Sequence, residues 1–138
     1  MPTSSSEVRR QAFIPPLRLL PPRVLIIEDD ALIATYLVEL VQDVGHLALG
    51  PLNSIASSLN LLRLNAPDAV LLDCTLADGV ASPVGQALTV ANVPFAVLTG
   101  LAEDQLSPVL AAAPRVTKPF SAAEVELVLR ALLATDGA

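Results

Sequence analysis

A small set of side chains could carry chemistry here. Three carboxylates run together at Glu28-Asp29-Asp30 and a fourth stands alone at Asp73; a hydroxyl follows at Thr99 and an ammonium at Lys118. Carboxylates crowded to about 4 Å repel by about 4 kcal/mol per pair at an effective dielectric of about 20. Such a cluster either takes up a proton or gathers a cation. An all-oxygen donor set on a loop surface suits Mg²⁺, which keeps several waters and accepts a phosphate oxygen as a further ligand. A carboxylate can also act as a nucleophile and form an acyl phosphate, with the hydroxyl and the ammonium stabilising the transferred group. Lys118 is the only lysine in a chain with seven arginines. A compact point charge at this one place is what a single phosphate or carboxylate contact favours.

The elements that must position these groups are legible as a repeated phrase. Short apolar runs stand at Val24–Ile27, Leu47–Leu49, Ala69–Leu72, Phe95–Leu98 and Arg115–Thr117. Their lengths suit strands buried on both faces. Between them apolar residues fall at helical spacing, with Ile33, Leu37, Leu40 and Val44 on a first helix and Ile55, Leu59 and Leu62 on a second. Val84, Ala87, Leu88 and Ala91 make a third face, Leu106, Val109, Leu110 and Ala113 a fourth, and Val125, Val128, Leu129 and Leu132 a fifth. Asp30 and Ser121 sit where helix caps belong, Gly45 follows the first helix, and the fourth is expected to start at Glu103-Asp104. Strands alternating with helices predict right-handed crossovers and a parallel α/β sheet of (βα)₅ form. In such a sheet ligands bind beyond the carboxyl ends of the strands. Four of the five strand ends deliver the polar groups named above, whereas the second ends in Gly50-Pro51.

Composition bounds the alternatives. The chain is 53% hydrophobic and 16% charged, so charge-driven disorder is excluded for most of it. Residues 1–23 carry four arginines against Glu7, while residues 24–138 carry 13 acids against four bases. An acidic body with 3% aromatics predicts no nucleic-acid binding. No apolar stretch is long enough for a membrane span, and Pro15, Pro16, Pro21 and Pro22 interrupt any secretory core, so a cytoplasmic protein is expected. One cysteine (Cys74) and one histidine (His46) cannot build a Cys/His zinc site. Cys74 reads as a small packing residue, and His46, at the entry of the second strand, as structural. Residues 1–22 read as a Pro-rich basic extension and residues 23–138 as the domain, with no output domain expected after it.

At this point residues 22–136 resemble a response-regulator receiver domain of two-component signalling. The motifs are Val24-Leu-Ile-Ile-Glu-Asp-Asp30, Leu71-Leu-Asp-Cys-Thr-Leu76, Val97-Leu-Thr-Gly100 and Val116-Thr-Lys-Pro-Phe120. The resemblance implies a flavodoxin-like doubly wound sheet of order 2-1-3-4-5. It implies Asp73 as phospho-acceptor, with Mg²⁺ held by Glu28, Asp29, Asp73 and the backbone carbonyl of Thr75. Thr99 and Lys118 would contact the phosphoryl group, with a cis peptide at Pro119. The implied partners are a sensor histidine kinase or histidine phosphotransfer protein, and a second copy through the fourth helix, fifth strand and fifth helix. Such a receiver catalyses its own phosphorylation and dephosphorylation and turns over no separate substrate. The Thr-Gly pair resembles a branch of single-domain receivers common in α-proteobacteria. Departures are Arg115, where an aromatic switch residue is common, Gly100 for alanine, and Ala77 for proline. An aspartyl-phosphate hydrolase of the haloacid dehalogenase type would share Asp, Thr, Lys and Mg²⁺, but wants a second Asp where Thr75 stands. A receiver-like module that is not phosphorylated is the third reading.

Overall fold

The computed structural model describes residues 20–134. The elements, in chain order, are β1 (Arg23–Ile27), α1 (Ala31–Asp43), β2 (Leu47–Leu52), α2 (Ile55–Leu64), β3 (Ala69–Asp73), β4 (Thr75–Leu76), β5 (Gly79–Val80), α3 (Ser82–Val90), β6 (Phe95–Thr99), α4 (Pro108–Ala111), β7 (Arg115–Thr117) and α5 (Ala122–Ala134). Five strands form one parallel sheet in the order β2-β1-β3-β6-β7, which is the expected 2-1-3-4-5. The expected extension over residues 1–22 lies outside the described residues except for Leu20–Pro22.

Alternation along each strand divides the core into two layers. Leu25, Ile27, Val70, Leu72 and Val97 face one way and pack with Val84, Leu88 and Leu110 of α3 and α4 and with Leu59 and Leu62 of α2. Val24, Ile26, Leu71, Ala96 and Leu98 face the other way, onto Leu37 and Val41 of α1 and Val125 and Leu129 of α5. β1, β3 and β6 are therefore the continuous apolar strands, and every residue of β3 and β6 is buried.

The flanking strands differ from expectation. β2 and β7 are the sheet edges and are not buried on both faces: β7 alternates exposed-buried-exposed, and β2 mixes exposed and half-buried residues. β2 also runs through Gly50-Pro51 to Leu52, where the pairing with β1 shifts register. Gly50 has φ +88°, and a Cβ there would stand 2.8 Å from the carbonyl oxygen of Ile26, so only glycine fits this approach. The caps follow expectation: Asp30 accepts from the N–H groups of Leu32 and Ile33, and Ser121 and Glu124 exchange hydrogen bonds as a capping box.

The fourth helix is shorter than its apolar spacing predicts. Glu103–Gln105 form one 3-10 turn, Ser107 is extended, and α4 occupies only Pro108–Ala111. Pro108 supplies the reason: it lacks an N–H and disfavours helical backbone at the residue before it. The predicted face survives the interruption, since Leu110 is fully buried and Leu106, Val109 and Ala113 pack against the same layer.

The segment after β3 is not an open loop. Thr75 pairs with Val80 and Leu76 with Gly79 in a two-stranded antiparallel hairpin. At its tip the Asp78 carboxylate accepts the N–H groups of Ile55 and Ala56, the first turn of α2. Those two hydrogen bonds hold the Asp78 carboxyl below its ordinary pKa. A depressed folded-state pKa contributes stability above the unfolded value of 3.8, and that contribution is lost as pH falls through the folded value. Asp78→Asn should therefore lower the melting temperature at neutral pH, with the gap to wild type closing below pH 3.8. A gap independent of pH would show that the charge of Asp78 does not contribute.

Candidate functional site

The strand carboxyl ends place the candidate residues as follows. β1 runs into Glu28, whose side chain is wholly buried, and then into exposed Asp29. β3 ends at Asp73 (7% exposed) and β6 at Thr99 (4%). Lys118 follows β7, and its peptide bond to Pro119 is cis, as expected. One oxygen from each of Glu28, Asp29 and Asp73 lies within 4.8 Å of the others. The predicted set is thus assembled at one edge, because adjacent strands in register end at the same height.

Hydrogen bonds fix the orientation of each group. Lys118 donates to Oε1 of Glu28 at 2.9 Å and stands 3.4 Å from Oδ2 of Asp73. The other Glu28 oxygen accepts the N–H of Asp30 at 3.1 Å, and Oδ1 of Asp73 accepts the N–H of Thr75 at 3.3 Å. The Thr99 hydroxyl accepts the N–H of Leu101 at 3.0 Å, which turns the chain at Gly100. The link that residue types alone did not disclose is the Glu28–Lys118 pair across 90 residues.

Electrostatics follow from this packing. Burial, then the neighbouring Glu28 carboxylate, push Asp73 up to about 7, against the pull of Lys118 and the Thr75 N–H. Burial opposes the Lys118 charge, but its hydrogen bond to Glu28 and the charges of both carboxylates carry its pKa above the ordinary value. Cys74 is buried, and that burial pushes its thiol up to about 11, which leaves it an unreactive packing residue. His46 lies at the opposite sheet edge and takes no part. Removing Lys118 would leave a buried carboxylate without its cation. Lys118→Ala is expected to destabilise the domain by about 2–4 kcal/mol in chemical denaturation, and Glu28→Gln in the same chain should restore most of the loss. Equal destabilisation in single and double variants would show that the pair is not coupled.

The oxygen donors fit a hard divalent cation. Three carboxylates converge with one ammonium among them, and the raised Asp73 value marks excess negative charge that a second cation would relieve.

No protein-family model and no curated protein matches the chain. Solved structures do. The chain is 31% identical to SdrG from Pseudomonas melonis Fr1 in its BeF3-activated conformation, covering 83% of this chain and 98% of that one with a TM-score of 0.70. It belongs to the response-regulator receiver domains. The response regulator PhyR from Brucella abortus is 29% identical over 85% of this receiver and 49% of that chain, with a TM-score of 0.73. The receiver domain of the sensor histidine kinase PA1611 from Pseudomonas aeruginosa PAO1, solved with magnesium in its active-site cleft, shares the fold at 20% identity. It covers 83% of this receiver and 98% of that chain, with a TM-score of 0.73. Among the described residues no helix of this receiver is long and apolar enough to cross a membrane.

Proposed function

We propose that this receiver takes a phosphoryl group from a protein phosphohistidine onto Asp73 and signals through protein contacts. The observation that carries this reading is the setting of Asp73. It is a recessed carboxylate with one oxygen facing Lys118, the other held by Thr75, and two further acids within cation-binding distance. A carboxylate oxygen of Asp73 attacks phosphorus as the P–N bond breaks, and the imidazole leaves with its electron pair and takes up a proton. Lys118 and the Thr99 hydroxyl offer a positive charge and a donor to the phosphoryl oxygens. For Lys118 this means giving up part of its bond to Glu28. Glu28, Asp29, Asp73 and the Thr75 carbonyl would hold Mg²⁺, which supplies charge neutralisation at the phosphoryl oxygens. The reaction ends on the protein itself, so no separate substrate is turned over.

The surroundings favour a protein donor over a small one. Leu32 (83% exposed), Leu101 (41%) and the stacked rings of Tyr36 and Phe120, 6.1 Å apart, follow three of the site loops directly. Apolar side chains at the mouth of a charged site are the ordinary make-up of a docking surface. Sensor kinases and phosphotransfer proteins are the class of partner this suits, in the cytoplasm where such donors work. A homodimer through α4, β7 and α5 would use exposed Leu127 on the face that also carries Arg115.

Arg115 is exposed at the start of β7, as a guanidinium without a buried partner must be. The proposed signal runs instead through residues 100–113, where Pro108 breaks the helix. Arg115→Ala should leave phosphorylation intact and the phosphorylation-dependent amide exchange of residues 100–113 nearly unchanged. An exchange response that vanishes in this variant would reinstate a strand-borne switch.

The phosphoryl transfer itself is tested with a small phosphodonor and Mg²⁺, read by intact mass and peptide mapping. A gain of one phosphoryl group on the peptide containing Asp73, absent when Mg²⁺ is chelated, is expected. No gain, or a gain on another peptide, overturns the reading.

A further inference from the structure

The end of the domain opposite the site holds a cleft of about 580 Å³ between the ends of α1 and α5. Val44 and Leu129 make an apolar floor, and Asp43, Glu126 and Arg130 stand on the walls. His46 also lines it, and its buried Nδ1 has no hydrogen-bond partner among the described residues. α1 ends here with no basic residue in its last turn. Asp43 and Glu126 outnumber Arg130 here, so the charged walls are net negative.

Pro22 forms part of the cleft wall, so residues 1–19 join the domain at the rim of this cleft. That stretch has the complementary chemistry. It carries Arg9, Arg10 and Arg18 against Glu7, with the apolar run Phe13-Ile14-Pro15-Pro16-Leu17 between the arginines. A second hollow at this end, of about 430 Å³ between α3, β6 and α5, is lined by no acidic residue among the described residues. We propose that the α1–α5 cleft is the docking site of this chain's own residues 9–18, with the apolar run on Val44 and Leu129 and the arginines against Asp43 and Glu126. Two residues, Arg18 and Leu19, separate Leu17 from the described chain at Leu20, and at about 3.5 Å per residue that spans about 10 Å. The proposal is independent of the phosphoryl chemistry, which lies at the other edge of the sheet.

Amide shifts of the full-length chain test it. Phe13→Ser with Ile14→Ser changes no residue of the domain, so misfolding cannot mimic its result. Docking predicts shift changes at Val44, His46 and Leu129 in that variant. The reciprocal pair Asp43→Lys with Glu126→Lys should shift the amides of residues 9–18. Changes confined to the neighbours of each substitution overturn the proposal. Shifts at the cleft that revert on dilution also overturn it, because they would assign the occupant to another copy of the chain.

Discussion

Asp73→Asn should accept no phosphoryl group under conditions that fully phosphorylate the wild-type chain, while its metal-free fold becomes more stable. The first result follows from the amide's loss of nucleophilicity at unchanged shape. The second follows from the geometry: Asp73 is buried beside Glu28, with one cation shared between them. Each unit by which a carboxyl pKa is raised corresponds to about 1.4 kcal/mol of disfavoured charge. Loss of the 3.4 Å contact to Lys118 offsets part of the relief, which leaves a net gain of about 1–2 kcal/mol in Mg²⁺-free buffer above pH 7. Intact mass after phosphodonor treatment and urea denaturation check the two halves separately. A variant phosphorylated as fast as wild type removes Asp73 from the acceptor role, and a less stable variant shows that the Lys118 contact outweighs the repulsion.

Mg²⁺ should stabilise the wild-type chain and leave Glu28→Gln with Asp29→Asn unaffected. A ligand that binds only the folded state at tenfold its Kd contributes about 1.4 kcal/mol. For a domain of this size that is a rise of roughly 5–8 °C in melting temperature. The double substitution removes the negative charge of two of the three convergent carboxylates, and Asp73 alone is a weak site for a cation that dehydrates reluctantly. Thermal melts of both proteins across a Mg²⁺ titration decide it. An undiminished rise in the double variant would move the metal to another part of the surface.

The central strands and the site were legible in the sequence for the same reason. β1, β3 and β6 are covered on both faces, so every position demands an apolar residue, and the first polar residue after each run marks the strand's end. Glu28, Asp73 and Thr99 are those residues. The edges were less legible, because β2 and β7 each have a partner on one side only and keep exposed positions within the strand. The capping of Ile55 and Ala56 by Asp78 joins residues more than twenty positions apart. Local pattern carries no such information. The Glu28–Lys118 pair was hidden likewise: both residues were assigned to the site, yet which carboxylate the ammonium would choose depends on packing depth.

The two sheet edges also bear on strand addition from outside the domain. An open parallel sheet ends in strands whose free N–H and C=O groups can recruit a foreign strand and seed aggregation. Here β2 carries Pro51 within the strand, and β7 is three residues long with Pro114 before it and Pro119 two residues beyond it. Proline offers no N–H to an incoming strand, and three residues are too few to template one. The same sequence that packs a 53% hydrophobic chain around its sheet thus blunts both borders of that sheet against backbone pairing with a foreign strand.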